Sequence, residues 1–498
     1  MNNLEKRTGH KRSGVVDEAG GAGPGAIFNH VIEKGISFLL IFTPLAFGTV
    51  QPWSVAVMEA AAFIVFGAWL IRMSVLKRAE FYITPVLFFM LMLAVVAVIQ
   101  ITPMPPGLLS VISPSSARIY SAFSNEGASA WRAISIAPQS TLDELWKLLS
   151  YIAVFTVVIN HFKRRAQVFK VLRLVVWLGL GIAVFAVVQK MAWNGRIYWI
   201  YPVREGLSSG SSYIWGPYIN RNHFAGYMEM AVPLALGLFL YRITEIKTLP
   251  GVPFRKKLIV YANSKALMPM AVLLAAALVM SGVLFMTLSR GGTAGLVAGV
   301  AVFLALSLKR RSLKNKAVIM AAIAVVLLLF VLSFSWSRLE ERFSEVSEEG
   351  RTARFGVWAD SLNLAGDFPV LGAGLGAFEK VYPAYQTLHP IFIYIHAEND
   401  FVEILTDTGL VGAATAGGVI LFFFYPVVQG WRARRNSFVK CMAAAGTASC
   451  GALFVHSFTD FNMRIPANAM LITVIAGVTY AMVFNVSERD GRHAAKKI

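Results

Sequence analysis

Four short stretches of this 498-residue chain hold polar groups whose types and spacing could do chemistry. His396-Ala397-Glu398-Asn399-Asp400 sets an imidazole, a carboxylate and an amide side by side, which makes a candidate general base with orienting partners. The same run would also cap a following helix through Asn399 or Asp400. In Leu288-Ser289-Arg290-Gly291-Gly292 a guanidinium sits in a turn where glycines let backbone approach a ligand closely. Such an arginine either meets an anionic substrate or anchors a hairpin at an interface. Arg351 and Arg354 lie three apart in Gly350-Arg351-Thr352-Ala353-Arg354 and share a face if that stretch is helical. Guanidinium forks match phosphate oxygens. The alternative is pairing with the acidic run Glu340, Glu341, Glu345, Glu348 and Glu349, whose dispersed spacing does not resemble a metal site. Finally, Asn220-Arg221-Asn222-His223 opens an apolar segment in which Asn222, Gly226 and Glu229 follow at helical spacing.

The elements that must carry these groups are membrane helices. Hydrophobic residues make up 56% of the chain and charged ones only 15%, where a soluble domain has about a quarter charged. Mean hydropathy is +0.61. Apolar runs approaching the ~20 residues of a spanning helix recur along the chain. A soluble enzyme and a disordered or fibrous chain are both excluded. Twelve candidate spans fall near 35–50, 54–71, 82–101, 148–160, 171–189, 223–241, 267–288, 293–307, 317–335, 409–428, 441–457 and 467–485. The expected fold class is therefore all-α, a polytopic membrane protein of about twelve helices. A long, partly helical outer loop should join spans nine and ten.

The domain organisation follows from these spans. A polar tail occupies 1–34 and has no apolar stretch of signal-peptide type. Spans one to nine fill 35–335, with outer loops near 102–147 and 190–222. The long loop 336–408 precedes spans ten to twelve at 409–485, and a second tail closes the chain at 486–498. The net charge of +19 invites a nucleic-acid reading, but its distribution argues otherwise. Of 46 Lys and Arg, 32 fall on the side of the N-terminal tail and 14 on the other. Positive charge resists translocation, so both termini are expected in the cytoplasm. The basic balance is a topology signal, and no nucleic-acid partner is expected.

All cytoplasmic loops are short and none carries a Gly-rich Lys-Ser/Thr loop, so an ATP-driven pump is not expected. Chemistry should lie on the outer face. Glu229, Glu59 and the His456/Asp460 pair are ionisable groups in apolar surroundings, which are functional candidates in a membrane. Cys441 and Cys450 both fall inside the eleventh span and read as small packing residues.

Taken in order, these motifs resemble the O-antigen ligase and polymerase superfamily. The resemblance rests on Ser289-Arg290-Gly291-Gly292, the Arg351/Arg354/Trp358 stretch, Pro369-Val370-Leu371-Gly372-Ala373-Gly374-Leu375-Gly376 and His396-Ala397-Glu398-Asn399-Asp400. Ile134-Ser135-Ile136-Ala137-Pro138, Thr408-Gly409-Leu410-Val411-Gly412 and the segment Asn220 to Tyr227 fit as well. It implies a GT-C-like glycosyltransferase of a bacterial inner membrane, moving a glycan from undecaprenyl pyrophosphate to an acceptor hydroxyl on the periplasmic side. The acceptor would be another glycan or lipid A–core, and no metal or other cofactor is expected. By the family's pattern Arg290, Arg351, Arg354 and Arg221 would contact pyrophosphate, with Asn222, Glu229, Asn399 and Asp460 in support. Many members have a His immediately before the Asn, where this chain has Glu398. The base is thus either His396 or Glu398. A transporter or flippase for lipid-linked oligosaccharides is the rival reading, since twelve spans and intramembrane carboxylates fit one too.

Overall fold

The computed structural model describes residues 25–77, 81–123, 130–202, 213–246, 263–309, 348–388 and 393–486. Nine of its helices are long and apolar enough to cross a membrane. They are α1 (Ala26–Leu45), α2 (Pro52–Val75), α7 (Arg165–Met191), α8 (Arg221–Glu245), α9 (Leu267–Met286), α10 (Arg290–Leu308), α13 (Asp400–Ala433), α14 (Ser437–His456) and α15 (Pro466–Phe484). The shorter apolar helix α3 (Pro85–Ile101) and the helix α6 (Pro138–His161) complete the bundle, with α4 (Pro106–Ile112) and α5 (Pro114–Phe123) between them. Outside the bundle lie a two-stranded hairpin, β1 (Arg196–Ile197) and β2 (Tyr201–Pro202), then α11 (Glu348–Asp367) and the short α12 (Phe378–Val381). This is an all-α polytopic membrane protein.

Eleven of the twelve expected spans coincide with described helices; the ninth, 317–335, lies outside the described residues. Three boundaries differ: the span expected at 35–50 runs over Ala26–Leu45 and takes in the end of the expected polar tail, and two others shift for local reasons. The span expected at 148–160 begins at Pro138, because a proline at the first helical position starts the helix ahead of its polar first turns. The span expected to begin at Gly409 begins at Asp400, capped by Asn399. Gly409 bends it at φ 62°, ψ −166°, backbone geometry that only glycine accepts readily. The loop expected at 336–408 is thus a helix, a glycine-rich turn and a half-helix, as far as it is described.

Helix α8 sits at the centre, and every residue of its most apolar stretch is buried. Helix α10 packs against α8 and α14 through Gly291, Gly295 and Gly299, four residues apart. A Cβ on these would meet His456, Glu229 and Ala452 at under 3 Å. Small residues at this period let membrane helices approach closely without a hydrophobic drive.

Polar contacts gather at the two ends of the bundle. At one end Glu33 accepts from Gln167 and lies near Lys170, Arg165 pairs with Glu245, and Arg434 donates to the Val483 carbonyl. The other end holds the starts of α8, α10, α13 and α15 and the finish of α14, and the candidate residues converge there.

Candidate active site

Asn399 organises the first turn of α13. Its Oδ1 accepts from the amides of Phe401 and Val402 at 2.9 and 3.2 Å, and its Nδ2 donates to the Phe458 carbonyl at 3.0 Å. Immediately before it, Glu398 takes a left-handed φ of 54°, which a residue with a Cβ adopts at a cost. The surroundings hold that conformation. The Ala397 amide donates to Glu403 at 2.9 Å, and the Trp358 indole donates to the Ala397 carbonyl at 3.0 Å. The turn aims Glu398 at Arg354, 3.3 Å away on α11. Burial and the nearby Asp460 raise the Glu398 pKa, against the pull of Arg354.

His396 is oriented by two contacts. Its Nδ1 lies 2.8 Å from Glu403 Oε1, and its ring stacks on Phe461 with centroids 4.1 Å apart. Burial alone would depress its pKa, but the Glu403 carboxylate outweighs burial and raises it. A carboxylate on Nδ1 leaves Nε2 as the nitrogen that can accept a proton.

Glu403 is held in turn by Arg464, whose Nε lies 3.1 Å from the same Oε1. The other arms of that guanidinium reach Asp407 and, at 3.6 Å, Glu144 on α6. Burial opposes the charge on Arg464, yet the three carboxylates raise its pKa further. Buried charges persist only when paired this way. Asp407 ties the clamp to the glycine-rich turn, accepting from the Gly376 amide at 2.7 Å. That turn packs on Ser135, where a Cβ on Gly374 would lie 2.1 Å from the hydroxyl. Gln100 completes the tie, receiving the Leu375 amide at 2.9 Å and donating to the Asp407 carbonyl at 2.7 Å.

A second face of the cluster comes from α8. His223 Nε2 lies 3.2 Å from Asp460, and its ring meets Phe461 edge-on at 4.6 Å. Two turns further, Glu229 contacts His456 Nδ1 at 3.1 Å, both groups fully buried. Arg221 stacks over Tyr213 at 3.9 Å, and the amide of Asn222 donates to Asn220, which caps the helix. Arg290 begins α10, capped by Ser289, and the next residue, Gly291, lies against His456.

The structure therefore brings His396, Glu398 and Arg354 into one cluster with Asp460, while Glu229, paired with His456, packs against α10, the helix that Arg290 begins. Asn399 serves as a helix cap and hinge of the turn. Arg351 lies on the same helix as Arg354, and its side chain falls outside the described part, as do those of the acidic run. Glu59 lies on α2, which packs against α6, the helix that carries Glu144. Sequence reasoning missed Arg464, Asp407 and Gln100, and gave no role to Glu403 and His223. The signal for Arg464 was present, as the one basic residue in its short loop.

Residues 275–417 match the family model described as O-antigen ligase. Over that stretch the chain is similar to the O-antigen ligase family. A comparison with curated proteins returns no match. The matched segment runs from α9 into α13 and so holds Arg290, Arg354, His396, Glu398 and Glu403. His456, Asp460 and Arg464 lie beyond it. The family relation supports glycosyltransferase-type activity on a lipid-linked glycan and a glycan acceptor.

Proposed function

We propose that the protein transfers a glycan from undecaprenyl pyrophosphate to an acceptor hydroxyl at the periplasmic face of a bacterial inner membrane. Both termini then lie in the cytoplasm, as the distribution of basic residues favours. The observation that carries the reading is the His396–Glu403 pair, placed at the bundle end where Arg290 and Arg354 lie.

His396 Nε2 takes the acceptor's proton as its oxygen attacks the anomeric carbon, while the bond from that carbon to the pyrophosphate oxygen breaks. Glu403 stabilises the imidazolium that forms, and attack from the face opposite the leaving group inverts the anomeric centre. Negative charge grows on the departing pyrophosphate, so preorganised guanidiniums favour the transition state over the ground state. Arg290, Arg354, Arg351 and Arg221 are the candidates for that role, without need of a metal. Glu398 acts as a placeholder: it holds Arg354 in a half-exposed pair that is weak enough to exchange for phosphate. This assigns the base to His396 and not to Glu398.

The test is transfer from lipid-linked oligosaccharide by the purified protein. Arg290→Ala and Arg354→Ala should each lower kcat by about 10²–10³, as loss of one oxyanion donor does. His396→Ala should abolish transfer while Glu398→Gln retains it. Unchanged transfer in both arginine variants, or equal mild losses at His396 and Glu398, would remove the reading. Whether the acceptor is lipid A–core or another repeat unit is read from glycan profiles of a deletion strain: loss of a polymerase leaves single-repeat products.

A further inference from the structure

The catalytic reading above leaves one buried pair without a task. Glu229 and His456 bond to each other at 3.1 Å with 0% and 1% of their surfaces exposed. Two ionisable groups this deep are expensive in a membrane protein, and a helix contact alone would be served by apolar residues. The pair uses only one ring nitrogen. His456 Nε2 is buried and bonds to no described group.

That nitrogen faces a defined place. A Cβ on Gly291 would lie 2.7 Å from His456 Nε2, and one on Gly295 would lie 2.4 Å from Glu229 Oε2. The pair is thus seated against the first two turns of α10, a 19-residue helix whose opening amides point out of its end. The Ser289 hydroxyl takes the Gly292 amide at 3.1 Å. The imidazole lies against the start of α10, whose first residue is Arg290, and helix start and imidazole each favour negative charge. A carboxylate on Nδ1 supports a protonated ring, whose Nε2–H then needs an acceptor. The ionisable groups that face the pair are Asp400 from α13, Asp460 from the turn after α14 and His223 from α8.

We propose that the Glu229–His456 pair is a buried donor to the diphosphate of the polyprenyl-linked substrate, with His456 Nε2–H bonding the leaving group at the start of α10. The proposal rests on the glycosyltransferase reading and adds a residue that touches the leaving group, with Glu229 as its positioning residue. It also accounts for the glycines at 291 and 295, since a Cβ at either would press on the pair at under 3 Å and displace it.

The test uses the full chain in detergent, with farnesyl diphosphate and farnesyl monophosphate as probes. The wild type should prefer the diphosphate, and His456→Gln should lose about tenfold of that preference, equivalent to about 1.4 kcal/mol. Folding of the variant is checked by its thermal unfolding. With histidines labelled in ¹⁵N, the His456 Nε2 resonance, assigned by its loss in His456→Gln, should move on addition of farnesyl diphosphate and not with phosphatidylglycerol micelles. In transfer assays kcat should fall more than the donor KM rises. An Nε2 resonance unmoved at saturation, or a diphosphate preference equal in the variant, overturns the proposal. A response to phosphatidylglycerol equal to that with farnesyl diphosphate overturns it in favour of a lipid headgroup. If the wild type transfers glycan while His456 stays silent, only this inference fails; if it neither transfers nor binds diphosphate, the parent reading falls with it.

Discussion

Glu403→Gln should move the acid limb of the pH–rate profile to lower pH and lower its plateau. The substitution keeps the size of a side chain that lies 2.8 Å from His396 Nδ1 and removes only its charge. A partner charge at such range shifts a pKa by about 1–3 units, each worth about 1.4 kcal/mol. Arg464 draws on the same Glu403 oxygen at 3.1 Å, which discounts the effect toward the lower half of that range. Glu403 raises the pKa of His396, so its loss lowers it. A general base works in its neutral form, and a lower pKa extends that form to more acidic solution. The limb should therefore move down by about one to two units. The plateau should fall by about 10²–10⁴, because the imidazole becomes a weaker base and the amide can now donate to Nδ1, leaving Nε2 protonated. The assay is kcat/KM for transfer from lipid-linked oligosaccharide between about pH 5 and 9, read from the limb that reports the free enzyme's base. A limb that stays in place, or moves upward, would refute the dyad.

Other outcomes follow from the scaffold. Arg464→Met leaves Glu403, Asp407 and Glu144 buried without their shared cation and should destabilise by about 3–5 kcal/mol, seen as a lower Tm in detergent; an unchanged Tm would show that the clamp is dispensable. Gly409→Ala places a Cβ 2.4 Å from the Val370 backbone at a φ of 62°, so Tm should fall and transfer with it. Its strain is of the order of 1–3 kcal/mol before the clash is counted, and wild-type stability would mean the bend is not needed. Gly295→Leu should disturb Glu229 directly, and a smaller side chain, as in Gly295→Ala, should do so less; the order of their transfer rates checks this.

Much of the architecture was legible because a bilayer leaves few options. Long apolar runs must be helices, and basic residues mark the loops of one side. The boundaries that differed are those where hydropathy and helicity part company. Thr141, Asp143, Glu144 and Lys147 are helical but polar, so the start of α6 reads as loop. The half-helix before Gly409 is helical but too short and acidic to resemble a span. Within the site, His396, Glu398 and Arg354 announced themselves by type and spacing. Arg464 did not, because a single arginine has no pattern; its role exists only through Glu144, Glu403 and Asp407, which come from two other helices.

That distinction locates the hub of the site. The turn from His456 to Arg464 touches the starts of three helices that carry candidate residues. His456 lies against Gly291 at the start of α10, Asp460 against His223 at the start of α8, and the carbonyls of Ser457 and Asp460 receive the Asp400 amide that opens α13. Met463 returns the contact by donating to Asp400 at 3.0 Å. Three helix starts aimed at one turn form a positive corner, to which arginines add full charge. Acidic groups within the turn and the first residues of α13 hold that corner together. A diphosphate arriving there would take over contacts that Glu398 and its neighbours supply at rest. On this view the conspicuous motifs supply the reacting groups, and the unremarkable segment between α14 and α15 sets their distances. Substitutions in that turn should accordingly impair transfer as severely as substitutions in the motifs themselves.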